Sequence, residues 1–180
     1  YITAYYENSD ARLLLYSPTL INTRYKAELY RIAGSYTYRD AFRVSAQYGY
    51  YSLSDANYGN DFQFRLARKF FTDTYLGYEY YFSDFAFVSP LYYSPQDFDS
   101  HSLWGEYLLQ PEKNLKIKMG GKIGYVTAAD FILSEIYAEA NYKLLEVLML
   151  NGRIGLSNSF RYDTSYKSLS AYISAYLSIY

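Results

Sequence analysis

The stretch KSLSAYISAYLSIY, residues 167–180, alternates without a break. Leu169, Ala171, Ile173, Ala175, Leu177 and Ile179 share one parity; Ser168, Ser170, Tyr172, Ser174, Tyr176, Ser178 and Tyr180 share the other. Successive side chains of a strand point to opposite faces, so the segment reads as a β-strand with one aliphatic face and one Ser/Tyr face. At roughly 3.3 Å per residue it is long enough to cross a bilayer at a tilt. Lys167 is its only charge, and it ends on an aromatic, a poor terminus for a soluble domain but a fitting last strand for a membrane barrel.

Composition narrows the class. Tyr accounts for 27 and Phe for 11 of the 180 residues, yet the mean hydropathy is only −0.24. A helical membrane protein would be strongly apolar, and an ordinary soluble domain would carry fewer Tyr; an aromatic ring with a wet hydroxyl suits membrane–water interfaces. No run approaches the roughly 18 apolar residues of a transmembrane helix. The net charge of −1 lacks the basic excess of nucleic-acid binders, so no nucleic-acid partner is expected. With no Cys, disulfide and thiol chemistry are absent, while an oxidising compartment stays allowed. The sequence opens on Tyr1 with neither Met nor signal peptide, and reads as a mature or excised segment forming one domain over 1–180.

The same rhythm recurs upstream. YITAYY (1–6) reads as a strand ended by a turn at Asn8, Ser9 and Asp10, and RLLLYS (12–17) as another before Pro18. Strands are then expected over 25–38, 41–51, 61–71, 74–82, 101–110, 115–125, 131–143 and 147–158. In 61–71, Phe62, Phe64 and Leu66 oppose Gln63, Arg65 and Lys69, with Arg68 breaking the apolar face only near the strand end, where it can snorkel. In 115–125, Leu115, Ile117, Met119 and Ile123 oppose Lys116, Lys118 and Lys122. LLEVLML (144–150) continues the strand pattern rather than starting a helix. Tight turns at 39–40, 72–73, 111–114 and 144–146 alternate with longer loops at 52–60, 83–100, 126–130 and 159–166, the asymmetry of outer-membrane barrels. A soluble barrel or sandwich would instead carry a charge-rich outer face, whereas these polar faces hold Ser, Tyr, Gly and a few mixed charges.

Hairpin geometry pairs those charges. Arg65 comes opposite Glu79; Lys122 and Lys118 approach Glu135 and Glu139; Arg153 lies near Tyr137, diagonal to both glutamates. Together with Arg43 and Lys116 these residues would line the lumen with both signs of charge. They would stiffen the wall, and they would also suit a hydrated path for a neutral or weakly charged polymer, with Tyr rings as stacking surfaces. A polyanion channel would show an excess of Lys and Arg, which the sequence does not make evident.

Catalytic chemistry is sparse. His101 is the only histidine, and its neighbour Ser102 points to the opposite face of a strand, so the two do not form a nucleophile–base pair. No metal-ligand cluster is expected: Asp84, Asp97 and Asp99 match no Ca²⁺-loop spacing. Gly120 and Gly121 sit inside a strand, where they allow a bulge or close packing rather than a phosphate loop. No catalytic residue, metal or cofactor is expected.

Tyr92, Tyr93, Ser94, Pro95, Gln96, Asp97 and Phe98 form a Tyr-Ser-Pro-Gln element on the longest loop. With the aromatic terminus, residues 75–107 resemble the C-terminal barrel of tetratricopeptide-repeat outer-membrane proteins that export exopolysaccharide, of the cellulose synthase operon protein C type. The resemblance implies a barrel through which polysaccharide leaves, preceded by a periplasmic helical repeat region, with the 92–98 element shaping an outer-loop gate. The sequence departs from it in having no helical repeats and fewer strands.

The expected fold is all-β: an antiparallel, up-and-down transmembrane β-barrel with about 10–12 strands in this chain, in the bacterial outer membrane. Its expected partners are outer-membrane lipid, the barrel assembly machinery and, through the resemblance, polysaccharide and periplasmic export components. Tyr176 and Tyr180 would be the C-terminal assembly signal, although the strand pattern turns Tyr180 toward the lumen or rim. The expected function is a passive pore for export of a polar polymer, an exopolysaccharide. The alternatives are a small structural or adhesion barrel with a salt-bridged, plugged lumen, and an enzyme using His101.

Overall fold

The computed structural model describes residues 2–10, 25–161 and 164–177, and no described residue is helical. Ten strands follow one another: β1 (Ile2–Asp10), β2 (Lys26–Tyr38), β3 (Phe42–Leu53), β4 (Tyr58–Phe71), β5 (Thr74–Phe85), β6 (Phe98–Glu112), β7 (Leu115–Val126), β8 (Phe131–Lys143), β9 (Leu148–Arg161) and β10 (Thr164–Leu177). Each pairs antiparallel with the next in one sheet ordered β1 to β10, the up-and-down order of the expected barrel. The strand count agrees with that expectation.

Most strands are longer than the sequence suggests. The loop expected over 52–60 shrinks to 54–57 and that over 83–100 to 86–97, while 159–161 and 164–166 of the loop expected over 159–166 are strand. The turn expected at Asn8, Ser9 and Asp10 is strand instead, paired through to Lys26. Segment 12–17 and Pro18 lie outside the described residues. The extra length uses residues that look like loop formers. Gly59, in β4, lies under the Phe85 ring, where a Cβ would come within 2.5 Å of ring carbons. Asn60, next to it, accepts a hydrogen bond from the Tyr48 hydroxyl. Tertiary partners thus offset weak strand propensity. Arg39 and Asp40 both have positive φ (47° and 55°), the backbone of a primed hairpin turn whose twist matches its strands.

The register separates two faces. Ile32, Leu66, Leu76, Leu103, Ile123, Ile136, Ile154, Leu169 and Ile173 all point outward and are exposed, as a lipid-facing band requires. The opposite face is concave. Arg43 of β3 reaches Glu106 of β6 at 3.9 Å, although three strand spacings along a flat sheet would separate them by about 14 Å. The sheet must curl to bring them together.

Aromatic rings on this inner face lie over glycines. Trp104 covers its register partner Gly77, and Tyr137 covers Gly120, where an added Cβ would meet ring atoms at 2.6 Å. Of the two roles open to Gly120, close packing is the one realised: register shifts fall at Lys69/Phe71 and Leu109/Glu112 instead.

Candidate functional site

The inner face divides into three tiers. Near the short turns, Ala67, Tyr75 and Trp104 pack together with Leu108 against them. The Arg43 guanidinium lies 4.4 Å from the Tyr75 ring centre, and that of Arg65 lies 4.8 Å from the Trp104 ring, so cations rest on aromatic faces.

The middle tier is a belt of charge. Glu79, 2% exposed, accepts hydrogen bonds from Arg65 Nε (2.6 Å), Gln63 Nε2 (2.9 Å) and, two strands away, Lys122 Nζ (3.0 Å). Lys122 also lies 3.7 Å from Glu135, which accepts from Arg153 Nη2 at 2.8 Å. Beside this chain, Tyr137 donates to Glu106 (2.7 Å), and Lys118 sits between Glu106 (3.6 Å) and Glu139 (3.4 Å). Asn141 and Asn151 donate to the same Glu139 oxygen, and Arg153 lies over the Tyr137 ring at 4.3 Å. Every carboxylate here meets more than one donor, which offsets its desolvation.

The third tier is the mouth on the long-loop side. Tyr92 folds inward onto Ala27, Leu53 and Phe85 and is fully buried. Its hydroxyl donates to Asp55 and accepts from Asn57, both at 2.8 Å. Asn57 also bonds both backbone groups of Phe87. Within the loop, Ser94 Oγ accepts from the Ser89 amide, and Pro95 accepts from the Phe85 amide. Gln96 donates to the Ala86 carbonyl, and Asp97, at positive φ, bonds Asp84 through its own amide. Burial, then the neighbouring Asp55 carboxylate, push the Tyr92 phenol well above its ordinary range, so it remains a donor. Tyr93 and Phe98, in edge-to-face contact, border a cavity of about 360 Å³ that reaches down to Glu79 and Lys122.

All ten residues expected to line the lumen fall on the inner parity, from Arg43 on β3 to Arg153 on β9. Lys116 stands apart: it is exposed, and among the described residues it joins no ion pair. Arg65–Glu79, Lys122–Glu135 and Lys118–Glu139 pair directly in register. Arg153 differs from its expected diagonal position. It stands opposite Glu139 in register but turns to Glu135, because the Tyr137 ring supports its guanidinium on that side.

Sequence reasoning missed Glu106, Trp104, Asn151 and the Asp61 carboxylate, which Arg31 and Tyr51 each meet at 2.7 Å. The alternation of Ser100, Ser102, Trp104 and Glu106 against His101, Leu103, Gly105 and Tyr107 was available, but an inward Trp and an outward His blur it. His101 itself points outward between Tyr78 and Tyr80, with Nδ1 2.5 Å from the Tyr78 hydroxyl and Nε2 3.4 Å from Asp99. Ser102 is buried on the other face. Among the described residues, no group of three His, Cys, Asp or Glu gathers as a metal site. Tyr176 shares the inner parity with Tyr172 and Ser174; Tyr180 lies outside the described residues.

No protein-family model and no curated protein sequence matches the chain. Solved structures do. A bacterial polysaccharide outer membrane secretin superposes on 99% of this chain with a TM-score of 0.70 at 10% identity, and the match covers 64% of the secretin. The chain therefore spans just under two thirds of that protein's length. The KdgM porin in complex with disordered oligogalacturonate superposes on 99% of the chain and 90% of its own, with a TM-score of 0.55 at 10% identity. The outer membrane channel DcaP of Acinetobacter baumannii overlaps less closely: TM-score 0.46, 11% identity, 89% of this chain and 55% of that one. The likeness at such identities is one of fold. The fold shared with these outer-membrane proteins is the up-and-down β-barrel.

Proposed function

We propose that the chain forms the wall of a passive outer-membrane pore through which a polar polymer, an exopolysaccharide, leaves the cell. The observation that carries this reading is the middle belt. Its charges alternate in sign and satisfy one another, so the wall presents fixed hydrogen-bonding groups without a strong field of either sign. Such a wall can replace part of a sugar polymer's hydration and release it again. The long-range structural likeness to a polysaccharide secretin supports the same class of cargo. The ten lumen residues would make the path, and Tyr92 to Phe98 would shape the outer mouth. Synthesis at the inner membrane would supply the driving force, through periplasmic export components. Insertion would use the barrel assembly machinery, with Tyr176 and Tyr180 as its recognition signal.

The test is single-channel conductance in planar bilayers, for the native chain and for a variant with residues 86–97 replaced by a short Gly/Ser turn. The expected result is discrete conductance that rises in the variant and falls when a neutral oligosaccharide is added. A chain that inserts but conducts in neither form removes the pore reading.

A second reading rests on the third tier. Tyr92 is fully buried across the mouth and the belt is laced with ion pairs, as in a plugged barrel serving structure or adhesion. It predicts no conductance in either form, and cell-surface binding lost with residues 86–97. His101→Ala is expected to leave both readouts unchanged.

A further inference from the structure

We infer that the outer face carries a site for one anionic phospholipid, with its phosphate on Arg68 and an acyl chain in a furrow over Gly105 and Gly121. Gly105 and Gly121 are register partners on β6 and β7, and both point outward. Two bare positions side by side leave a gap in the apolar band. The furrow is shallow and open, with a volume of about 840 Å³, and is flanked by Leu76, Leu103, Ile123 and Ile136.

Register joins the furrow to a cation. Phe42 pairs with Arg68, Arg68 with Leu76, Leu76 with Gly105, Gly105 with Gly121, and Gly121 with Ile136. Strands of membrane barrels tilt by about 35–45°, so a register row climbs diagonally through the membrane. This row starts at Phe42, next to the short turn at 39–41, and reaches mid-strand at the two glycines. It therefore runs from headgroup level into the hydrocarbon.

Arg68 is an outward cation in an apolar setting. Its guanidinium lies 5.6 Å from the Phe42 ring centre and 5.5 Å from that of Phe70, which the bulge between Lys69 and Phe71 places beside it. Arg68 is exposed, and among the described residues it takes part in no ion pair. Two rings hold the cation at the interface with its polar edge unclaimed, and the fork of a guanidinium matches a phosphate. Charge complementarity and an adjoining chain-shaped furrow fit an anionic diacyl lipid of the short-turn leaflet.

The test uses the folded chain in nonionic detergent, mixed with phosphatidylglycerol or with phosphatidylethanolamine, and counts retained lipids per chain by native mass spectrometry. The native chain is expected to retain phosphatidylglycerol about five-fold better than phosphatidylethanolamine, the scale of one partly solvated charge contact. Arg68→Gln should erase that preference, and Arg68→Lys should restore part of it. Gly105→Leu should lower retention of both lipids; an added Cβ there crowds the movable end of the Leu76 side chain, at 2.9 Å, and makes an ordinary contact with the Tyr75 carbonyl at 3.7 Å. Equal retention of the two lipids by the native chain overturns the inference, as does a preference that survives Arg68→Gln. So does retention of lipopolysaccharide in preference to both lipids, or a dimer in place of bound lipid. If Gly105→Leu does not fold, the Arg68 pair still decides.

Discussion

On the inner side of β4 to β8, a carboxylate is never far from a cation: Glu79, Glu106, Glu135 and Glu139 each meet one, and Lys122–Glu79 and Arg43–Glu106 reach past neighbouring strands. The last hairpin is built otherwise. The inner positions of β10 carry no charge, and its described side chains bond only to β9, through Ser168 to Ser157 (2.7 Å) and Ser170 to the Gly155 carbonyl (3.4 Å). Outside, the two regions are alike, with Leu66 and Leu76 on one and Leu169 and Ile173 on the other. Lipid imposes one rule on every strand's outer face. The inner face is free to differ, and the middle strands use that freedom to tie non-neighbours together.

This contrast can be broken first at the surface where the regions agree. Phe64→Arg and Ile173→Arg both place a charge mid-strand on the outer face, and each should cost about 2–4 kcal/mol of folding stability in lipid vesicles, measured by urea titration. Similar penalties are expected because depth, not neighbours, sets them. If Ile173→Arg inserts as well as the native chain, β10 does not face lipid.

The inner face should separate the regions. Glu79→Gln leaves Arg65 and Lys122 facing a neutral amide. The loss expected is about 2–3 kcal/mol, below that of a fully buried pair because those cations stay 37% and 25% exposed. The heat-modifiability transition on gels should drop accordingly. Tyr92→Phe removes the hydroxyl that bonds Asp55 and Asn57 at the mouth. It should cost about 1 kcal/mol and speed proteolysis of residues 86–97 in intact vesicles. The smallest effect is expected at Ser168→Ala on β10, within about 0.5 kcal/mol by the same urea titration. A loss there as large as that of Glu79→Gln would mean the last hairpin is tied as tightly as the middle strands.

Much of the inner face was legible because strand parity is strict. A one-residue slip would send every charge into lipid, so alternation alone sorts Arg65, Glu79 and Lys122 to one side. Adjacent-strand pairs follow from turn positions, and Arg65–Glu79 is one of them. What parity cannot reach is contact between strands that are not neighbours. Glu106 meets Arg43 three strands away and Tyr137 two strands away, and no spacing along the chain encodes either distance. Loop lengths were misread for a related reason. Gly59 and Asn60 have weak strand propensity, and their partners Phe85 and Tyr48 belong to other strands.

The stretch at 167–180 illustrates both sides of the division. By itself the sequence determined the strand, its two faces and the bilayer-length rhythm repeated upstream, because side-chain alternation is a local property of extended backbone. Only the tertiary structure decided that the sheet curls, that Glu79 gathers three donors, that Tyr92 folds into the mouth, and that two glycines open a furrow beneath Leu76. Each of those depends on which strand ends up beside which, and on how far the wall bends to bring distant side chains within reach.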